Sequence, residues 1–202
     1  MKQKIGMTFL LLGLLMMLSG VALMIYNHAE AMAAERASAQ LLPKVAEAIE
    51  KNHREETPNH PAEPLYTDTA MTEVEIDGHL YIGYLSIPAL ELELPVMSGW
   101  DYPSLQIAPC RYSGTVGGND LVVMAHNYEK HFGNLDRLTA GDQLMFADME
   151  GVSTLYEVVA MDVLAPTAVE EMTSGTFDLT LFTCTYGGQN RVTVYCDRLR
   201  SK

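Results

Sequence analysis

Cys184 closes the apolar run Leu179-Thr180-Leu181-Phe182-Thr183-Cys184, and Arg191 follows seven residues later at the start of Val192-Thr193-Val194-Tyr195. Upstream, His126 ends another apolar run, Leu121-Val122-Val123-Met124-Ala125. A thiolate attacks a carbonyl far better than a thiol does, and a neighbouring imidazolium or guanidinium stabilises it. If the runs ending at His126 and Cys184 are adjacent strands, His126 can hold the thiol proton and deliver it to a leaving amine. Arg191, across the turn Tyr186-Gly187-Gly188-Gln189-Asn190, can direct its guanidinium to the same place and hold an oxyanion or a substrate carbonyl. Each residue alone has a plain explanation: a cysteine in an apolar run fills a core, a histidine beside Asn127 and Tyr128 sits in a surface turn, and an arginine ends in solvent. Together, at the ends of three strand-like segments, they point to thiol acyl transfer outside a membrane.

Metal binding through Cys184, Cys196, His126 and His131 is the competing use of these residues. Neither the cysteine nor the histidine spacing matches a compact zinc pattern, so it is disfavoured. Parity separates the thiols further. In a strand Arg191, Thr193 and Tyr195 share one face and Val192, Val194 and Cys196 the other, which reads as core. Three cysteines cannot all pair within one chain. A bridge from Cys184 to Cys196 would remove the nucleophile, so Cys184 is expected free and Cys110 and Cys196 as buried thiols. Met145, Met149, Met161 and Met172 show no cofactor-like spacing and are read as space-filling.

The elements that must position this chemistry begin at the N-terminus. Lys2 and Lys4 precede an uncharged apolar stretch, residues 7–26, long enough to cross a bilayer as a helix with its cationic end inside. A cleaved secretory signal, with Ala31-Met32-Ala33 as the small-residue site, is the alternative, but the stretch exceeds the usual h-region. Residues 1–26 are therefore expected to be a cytoplasmic tip and signal-anchor in the cell membrane, with the rest extracellular. About 176 of the 202 residues follow, enough for one domain with a sizeable core. Thirteen basic residues against 26 acidic ones, a net charge of −13, argue against nucleic acid and against adhesion of the ectodomain to anionic lipid.

After the anchor, Leu41, Leu42, Val45 and Ile49 recur with a helical period despite Pro43, predicting an amphipathic helix over residues 28–52. Residues 53–70 are rich in proline and polar groups and read as a linker, so residues 27–70 form a juxtamembrane helix and linker. From residue 71 to 202 strand signals are dense, at 74–76, 80–85, 90–96, 121–125, 142–146, 155–162, 179–183 and 192–197. Short strands separated by Gly, Pro and Asn turns predict a mostly β, closed or nearly closed sheet. Residues 104–108 and 134–138 are expected to form single helical turns.

On these residues the chain resembles the sortases, membrane-anchored cysteine transpeptidases of bacterial cell surfaces. The family's Thr-Leu-x-Thr-Cys signature stands as Thr180-Leu181-Phe182-Thr183-Cys184, its catalytic arginine matches Arg191, and its histidine matches His126 in Ala125-His126-Asn127. Gly83, Leu85, Ile87-Pro88 and Leu94-Pro95-Val96 fit the early pattern, and Phe132, Leu135, Leu138 and Gly141-Asp142 fit the stretch after the histidine. The resemblance covers residues 82–198. It implies a closed eight-stranded sortase-type β-barrel with short helices, preceded by the transmembrane helix, with Cys184 and Arg191 on the seventh and eighth strands. It also implies that Cys184 cleaves a Leu-Pro-x-Thr-Gly-like sorting signal on a surface protein at Thr-Gly, forming a thioester. A peptidoglycan precursor or cross-bridge amine, or a pilin lysine in polymerising members, would resolve it. His126 would serve as acid and then base, and Arg191 would stabilise the oxyanion.

By the same resemblance the substrate groove is bounded by residues 163–178 and 185–190. Leu164, Ala165 and Val169 would wall the Leu-Pro part of the signal, with Thr183 and Tyr186 as further contacts. Glu170 and Glu171 are the acidic loop residues that could take calcium, as in some sortases. Paired surface glutamates are ordinarily solvated, so no cofactor is expected. The short loop before Leu179 leaves little room for the long class B helix, no C-terminal transmembrane tail follows Arg200, and residues 61–64 lack the Asp-Pro lid dipeptide of many pilin polymerases. A class D or class A-like wall-anchoring enzyme is the expectation, with pilus assembly as alternative. A thiol endopeptidase releasing the acyl group to water, and an inactive signal-binding adaptor, are the other functions weighed.

Overall fold

The computed structural model describes residues 2–56 and 70–200. One helix, α1 (Lys2–Glu56), runs through the apolar stretch and on past Asn52, so the amphipathic segment is its continuation rather than a separate element. The helix thus takes in the first four residues of the expected linker. Residues 57–69, including the stretch 61–64 that lacks the lid dipeptide, lie outside the described residues. The apolar N-terminal window of α1 is long enough to span a membrane and none of it is buried against protein. α1 is therefore suited to be a single membrane span, with the barrel on the extracellular side.

Beyond it stand β1 (Val74–Ile76), β2 (His79–Ile87), β3 (Leu92–Met97), α2 (Tyr102–Leu105), β4 (Cys110–Ser113), β5 (Leu121–Met124), β6 (Gln143–Asp148), β7 (Ser153–Leu164), α3 (Val169–Met172), β8 (Leu179–Cys184) and β9 (Arg191–Arg198). The sheet order is β1-β2-β3-β4-β5-β8-β9-β7-β6, and β6 pairs back onto β2. That last pairing closes β2–β9 into an eight-stranded barrel and leaves β1 as a short hairpin arm. The seventh and eighth barrel strands are β8 and β9. Two of the neighbours, β3–β4 and β5–β8, are parallel, and the rest are antiparallel.

Closure depends on Gly83, which pairs with Val96 on β3 and Asp148 on β6. Its φ is +145°, and a Cβ there would lie 2.0 Å from the Ala147 carbonyl oxygen. Only glycine lets β2 and β6 approach so closely. Inside the barrel, inward-facing residues of β2, β3 and β5–β9 form one core that includes Ile82, Leu85, Val123, Phe146, Tyr156, Leu181 and Val194. The helical turns fall at α2 and at a 3₁₀ turn, Leu135–Arg137, close to where they were expected.

A second apolar cluster lies outside the barrel wall. Ala34, Leu41, Val45 and Ile49, together with Ser38, are the buried residues of α1, and their spacing of three and four traces one helix face. Leu41, Val45 and Ile49 pack on Tyr81, Met97, Leu105, Ala108, Cys110 and Met149. Pro43 is on the exposed side, where its lost backbone hydrogen bond does not disturb that face. β4 was not anticipated. It is four residues long, reads Cys-Arg-Tyr-Ser, and touches β3 through the single parallel pair Met97↔Cys110, so it carries little alternation to detect.

Candidate active site

The three residues named first are brought together by strand register. β5 and β8 run parallel with Leu121↔Leu179, Val122↔Thr180, Val123↔Leu181 and Met124↔Phe182. The ladder continues beyond the strands: the Ala125 amide donates to the Phe182 carbonyl at 3.3 Å, and the Thr183 hydroxyl donates to the Ala125 carbonyl at 2.8 Å. One step further on the same register sets His126 beside Cys184. On the other side of β8, Cys184 is paired directly with Arg191. His126, Cys184 and Arg191 thus stand abreast on three neighbouring segments at one end of the wall.

Parity decides which way they face. Leu179 and Leu181 of β8, Val123 and Ala125, and Val194 and Cys196 of β9 all enter the barrel core. The alternate set, Phe182 with Cys184, Val122 and Met124 with His126, and Thr193 with Arg191, lies on the outer face. Thr183, on the inward set, is 3% exposed and ties β8 to the residue before His126. It holds the strand ends in register and also lines the groove beside Cys184.

His126, Cys184 and Arg191 are each half-buried and line a groove of about 210 Å³. Its apolar surface is aromatic: Trp100 stacks on Tyr112 at 5.8 Å, and Tyr112 meets Phe182 edge-on at 5.3 Å. Pro166, Val169 and Met172 of the β7–β8 connection form the opposite side. Leu164 packs behind it on the cluster of Val122, Met172 and Phe182. Ala165 and Tyr186 are not among the residues lining the groove, and Tyr186 is fully exposed. Glu170 and Glu171 are exposed on α3, and among the described residues no three His, Cys, Asp or Glu side chains are grouped to hold a metal ion.

Trp100, Tyr112 and Phe182 were not singled out from sequence. Phe182 had a signal, since it shares strand parity with Cys184. Trp100 is the only tryptophan of the chain, but its partner Tyr112 sits on the undetected β4.

The electrostatics separate the thiols. Burial pushes Cys110 up to about 12 and raises Cys196 further, so neither ionises near neutral pH. Both are free and buried, whereas Cys184 is free and partly exposed. Burial lowers the His126 pKa below the usual imidazole range, opposed by the Glu30 carboxylate of α1. The Arg191 guanidinium donates through Nη1 to the carbonyls of Gly188 and Asn190, at 3.2 and 3.1 Å. Those acceptors belong to the tight β8–β9 turn, where Gly187 and Gly188 have φ of +86° and +74°.

His126 is also braced from α1. Its ring stacks on Tyr128 at 4.8 Å, and Tyr128 contacts His131 at 5.6 Å. Ser38 of α1 donates to the Ile107 carbonyl at 2.6 Å and lies 3.1 Å from His131 Nε2. With the hydroxyl proton so used, Nε2–H is the donor to Ser38. The loop is compact because the amides of His131 and Gly133 both donate to the Tyr128 carbonyl, each at 2.9 Å. A Cβ on Gly133 would lie 2.7 Å from that oxygen.

No curated protein sequence matches the chain. Among solved structures, sortase C of Streptococcus pneumoniae superposes with a TM-score of 0.59 at 22% identity, over 80% of this chain and 97% of that one. Sortase A of Corynebacterium diphtheriae, a lid mutant, gives 0.56 at 21% identity over 82% and 97%. Sortase C of Clostridium perfringens gives 0.53 at 20% identity over 90% and 99%. At these identities the likeness speaks for the fold. The sortase domain model matches residues 85–199, more than half the chain and all of the segment that carries the groove, and by that match the chain belongs to the sortase family of cysteine transpeptidases.

Proposed function

We propose that the chain cleaves a Leu-Pro-x-Thr-Gly-like sorting signal at its Thr-Gly bond through a thioester on Cys184, then transfers the acyl group to a cell-wall amine. The observation that carries this reading is the register that sets His126, Cys184 and Arg191 abreast above an aromatic groove. On this reading residues 1–26 anchor the enzyme, residues 27–70 hold and space it, and residues 71–202 catalyse.

The lowered pKa of His126 leaves it a neutral imidazole near neutral pH, able to take the Cys184 proton as sulfur attacks the threonine carbonyl. It returns that proton to the departing glycine amine. Arg191 is beside Cys184 on β9, where its guanidinium can turn from the Gly188 and Asn190 carbonyls to the oxyanion. The apolar groove suits the Leu-Pro part of the signal. Surface proteins bearing such signals and a peptidoglycan-linked amine are the partners.

Wall anchoring by a class A-like or class D enzyme is the preferred subclass. A pilin lysine is the alternative acceptor, and the solved relatives include both sortase A and sortase C enzymes. Intact mass spectrometry of the full chain in detergent, with a Leu-Pro-x-Thr-Gly peptide library and amine acceptors, tests the reading. A Cys184 adduct that resolves to an amide is the expected result. Resolution to the acid alone would make it an endopeptidase. Peptide binding without any adduct, Cys184 being reduced, would leave an adaptor.

A further inference from the structure

The helix suited to span the bilayer is the same helix that docks on the barrel wall, so the barrel stands at a fixed height above the membrane. α1 is continuous from the apolar stretch, residues 7–26, to Glu56. Beyond that stretch, side-chain contacts tie it to the barrel from Glu30 to Asn52. Gln106 Nε2 donates to Glu30 Oε1 at 2.9 Å, Ser38 Oγ to the Ile107 carbonyl at 2.6 Å, and Asn52 Nδ2 to the Met149 carbonyl at 3.1 Å, while Lys44 pairs with Asp77. Between them lies the buried face of Ala34, Leu41, Val45 and Ile49.

The end of the barrel at the foot of this docked segment is the end that carries the site. Met24 of the apolar stretch, Asn27, His126 and the turn residues Tyr186 and Gly187 line one hollow together. Burial, then Glu30 and Tyr26, raise the Tyr128 pKa, so Tyr26 too stands close to the loop after β5. The β8–β9 turn is therefore level with the last turn of the apolar stretch. Tyr186 is the point of that turn. The Gly188 amide donates to the Thr185 carbonyl at 2.8 Å and the Thr185 amide to the Asn190 carbonyl at 2.9 Å, which closes the turn and leaves Tyr186 fully exposed. A single exposed aromatic is ordinary where a surface faces water. At this height it faces headgroups, where tyrosine is enriched because its ring is apolar and its hydroxyl polar. No lysine or arginine lines the hollow, so attraction to anionic lipid is not what seats it.

We infer that the end of the barrel carrying His126, Cys184 and Arg191 is seated on the outer leaflet of the membrane that α1 spans, with Tyr186 in the headgroup layer beside Tyr26. The partner of this surface is the lipid itself. Cys184 precedes Tyr186 by two residues, so their backbones are at most about 7 Å apart. The headgroup layer on each side of the hydrocarbon is about 5–8 Å deep. The thiol thus works close to the headgroups, where peptides tethered to the same membrane are held. This placement depends on α1 and the β8–β9 turn and is independent of the thioester reading.

The test places one indole at a time in the full chain, held in phosphatidylcholine nanodiscs. Trp100→Phe removes the only native tryptophan, and Tyr186→Trp or Lys51→Trp then supplies the reporter. Lys51 is exposed and about 36 Å up the helix axis from Asn27, at 1.5 Å per residue. The discs contain lipid bearing a nitroxide either on the headgroup or at the end of an acyl chain, and each quenches an indole it can touch. The indole at position 186 is expected to lose several-fold more emission to the headgroup nitroxide than to the chain-end one, while the indole at position 51 keeps its emission with both. Equal emission from the two positions in headgroup-labelled discs would overturn the inference. Stronger quenching of position 186 by the chain end would overturn it as well, since the turn would then lie in hydrocarbon. Hydroxyl-radical footprinting of the unsubstituted chain in the same discs gives a second reading that needs no variant. Tyr186, though fully exposed in the fold, should be oxidised several-fold more slowly than free tyrosine, and oxidation at the free rate would sink the lipid contact.

Discussion

At the scale of single residues, position alone sets Cys184 apart from the other two cysteines. Cys184 is at a strand end on the outer face, while Cys110 and Cys196 are buried and hold their protons. Cys184→Ala should therefore abolish the acyl adduct in mass spectrometry and leave the circular dichroism and Tm unchanged, because the side chain fills no core space. A variant that still turned over would remove Cys184 from the chemistry. Arg191→Ala should lose about 2–4 kcal/mol of transition-state stabilisation if the guanidinium holds the oxyanion, seen as a fall in kcat of roughly 10²–10³. A change confined to KM would reassign it to binding the signal. Thr183→Val removes the bond to the Ala125 carbonyl, costing on the order of 1 kcal/mol of stability and loosening the register that sets His126 beside Cys184. Loss of register alone should lower kcat at nearly constant KM, whereas a rise in KM would show that Thr183, which also lines the groove, touches the peptide.

At the scale of elements, strands legible by alternation were found nearly in place, because a residue period of two is imposed by the buried face itself. β4 escaped since neither of its neighbours gives it a repeating pattern, and with it went Tyr112 and the aromatic side of the groove. His126, Cys184 and Arg191 stood out for a different reason: the first two close apolar runs and the third opens one, and run ends survive errors in topology. What no local pattern could show is that α1 reaches the site. Ser38 looks like a helix-surface serine, yet it is 3% exposed and bonded to His131, which is fully buried. Burial and the nearby His126 lower the pKa of His131 from 6.5 to about 4. A histidine whose pKa falls on folding contributes stability above pH 6.5 that is lost as pH drops toward the folded value. The full shift corresponds to at most about 3 kcal/mol. Denaturant unfolding followed through that window should show the loss, and His131→Gln, neutral at every pH and still able to donate to Ser38, should flatten it. An equally steep acid loss in the variant would place the titrating group elsewhere.

For the whole molecule, the membrane helix and the barrel are one mechanical unit rather than a tether and a cargo. Leu41, Val45 and Ile49 each bury an aliphatic side chain against the barrel wall, worth about 1.5–3 kcal/mol apiece as an upper estimate. A chain beginning at residue 28 keeps that face, whereas one beginning at residue 71 loses it and uncovers Tyr81, Met97, Leu105, Ala108 and Met149 together. The shorter chain also loses the Ser38–His131 clamp, while its closed barrel and its inner core are untouched. It should remain folded, with a Tm lower on the order of 10 °C. It should also bind a hydrophobic dye that the longer chain excludes, because a contiguous apolar patch of that size is exposed. Identical Tm and dye binding in the two chains would make α1 a passive spacer. A lower Tm with a proportionate fall in acyl transfer, restored in neither case by added detergent, would show that the helix anchoring the enzyme in the bilayer also completes the folded state in which His126 meets Cys184.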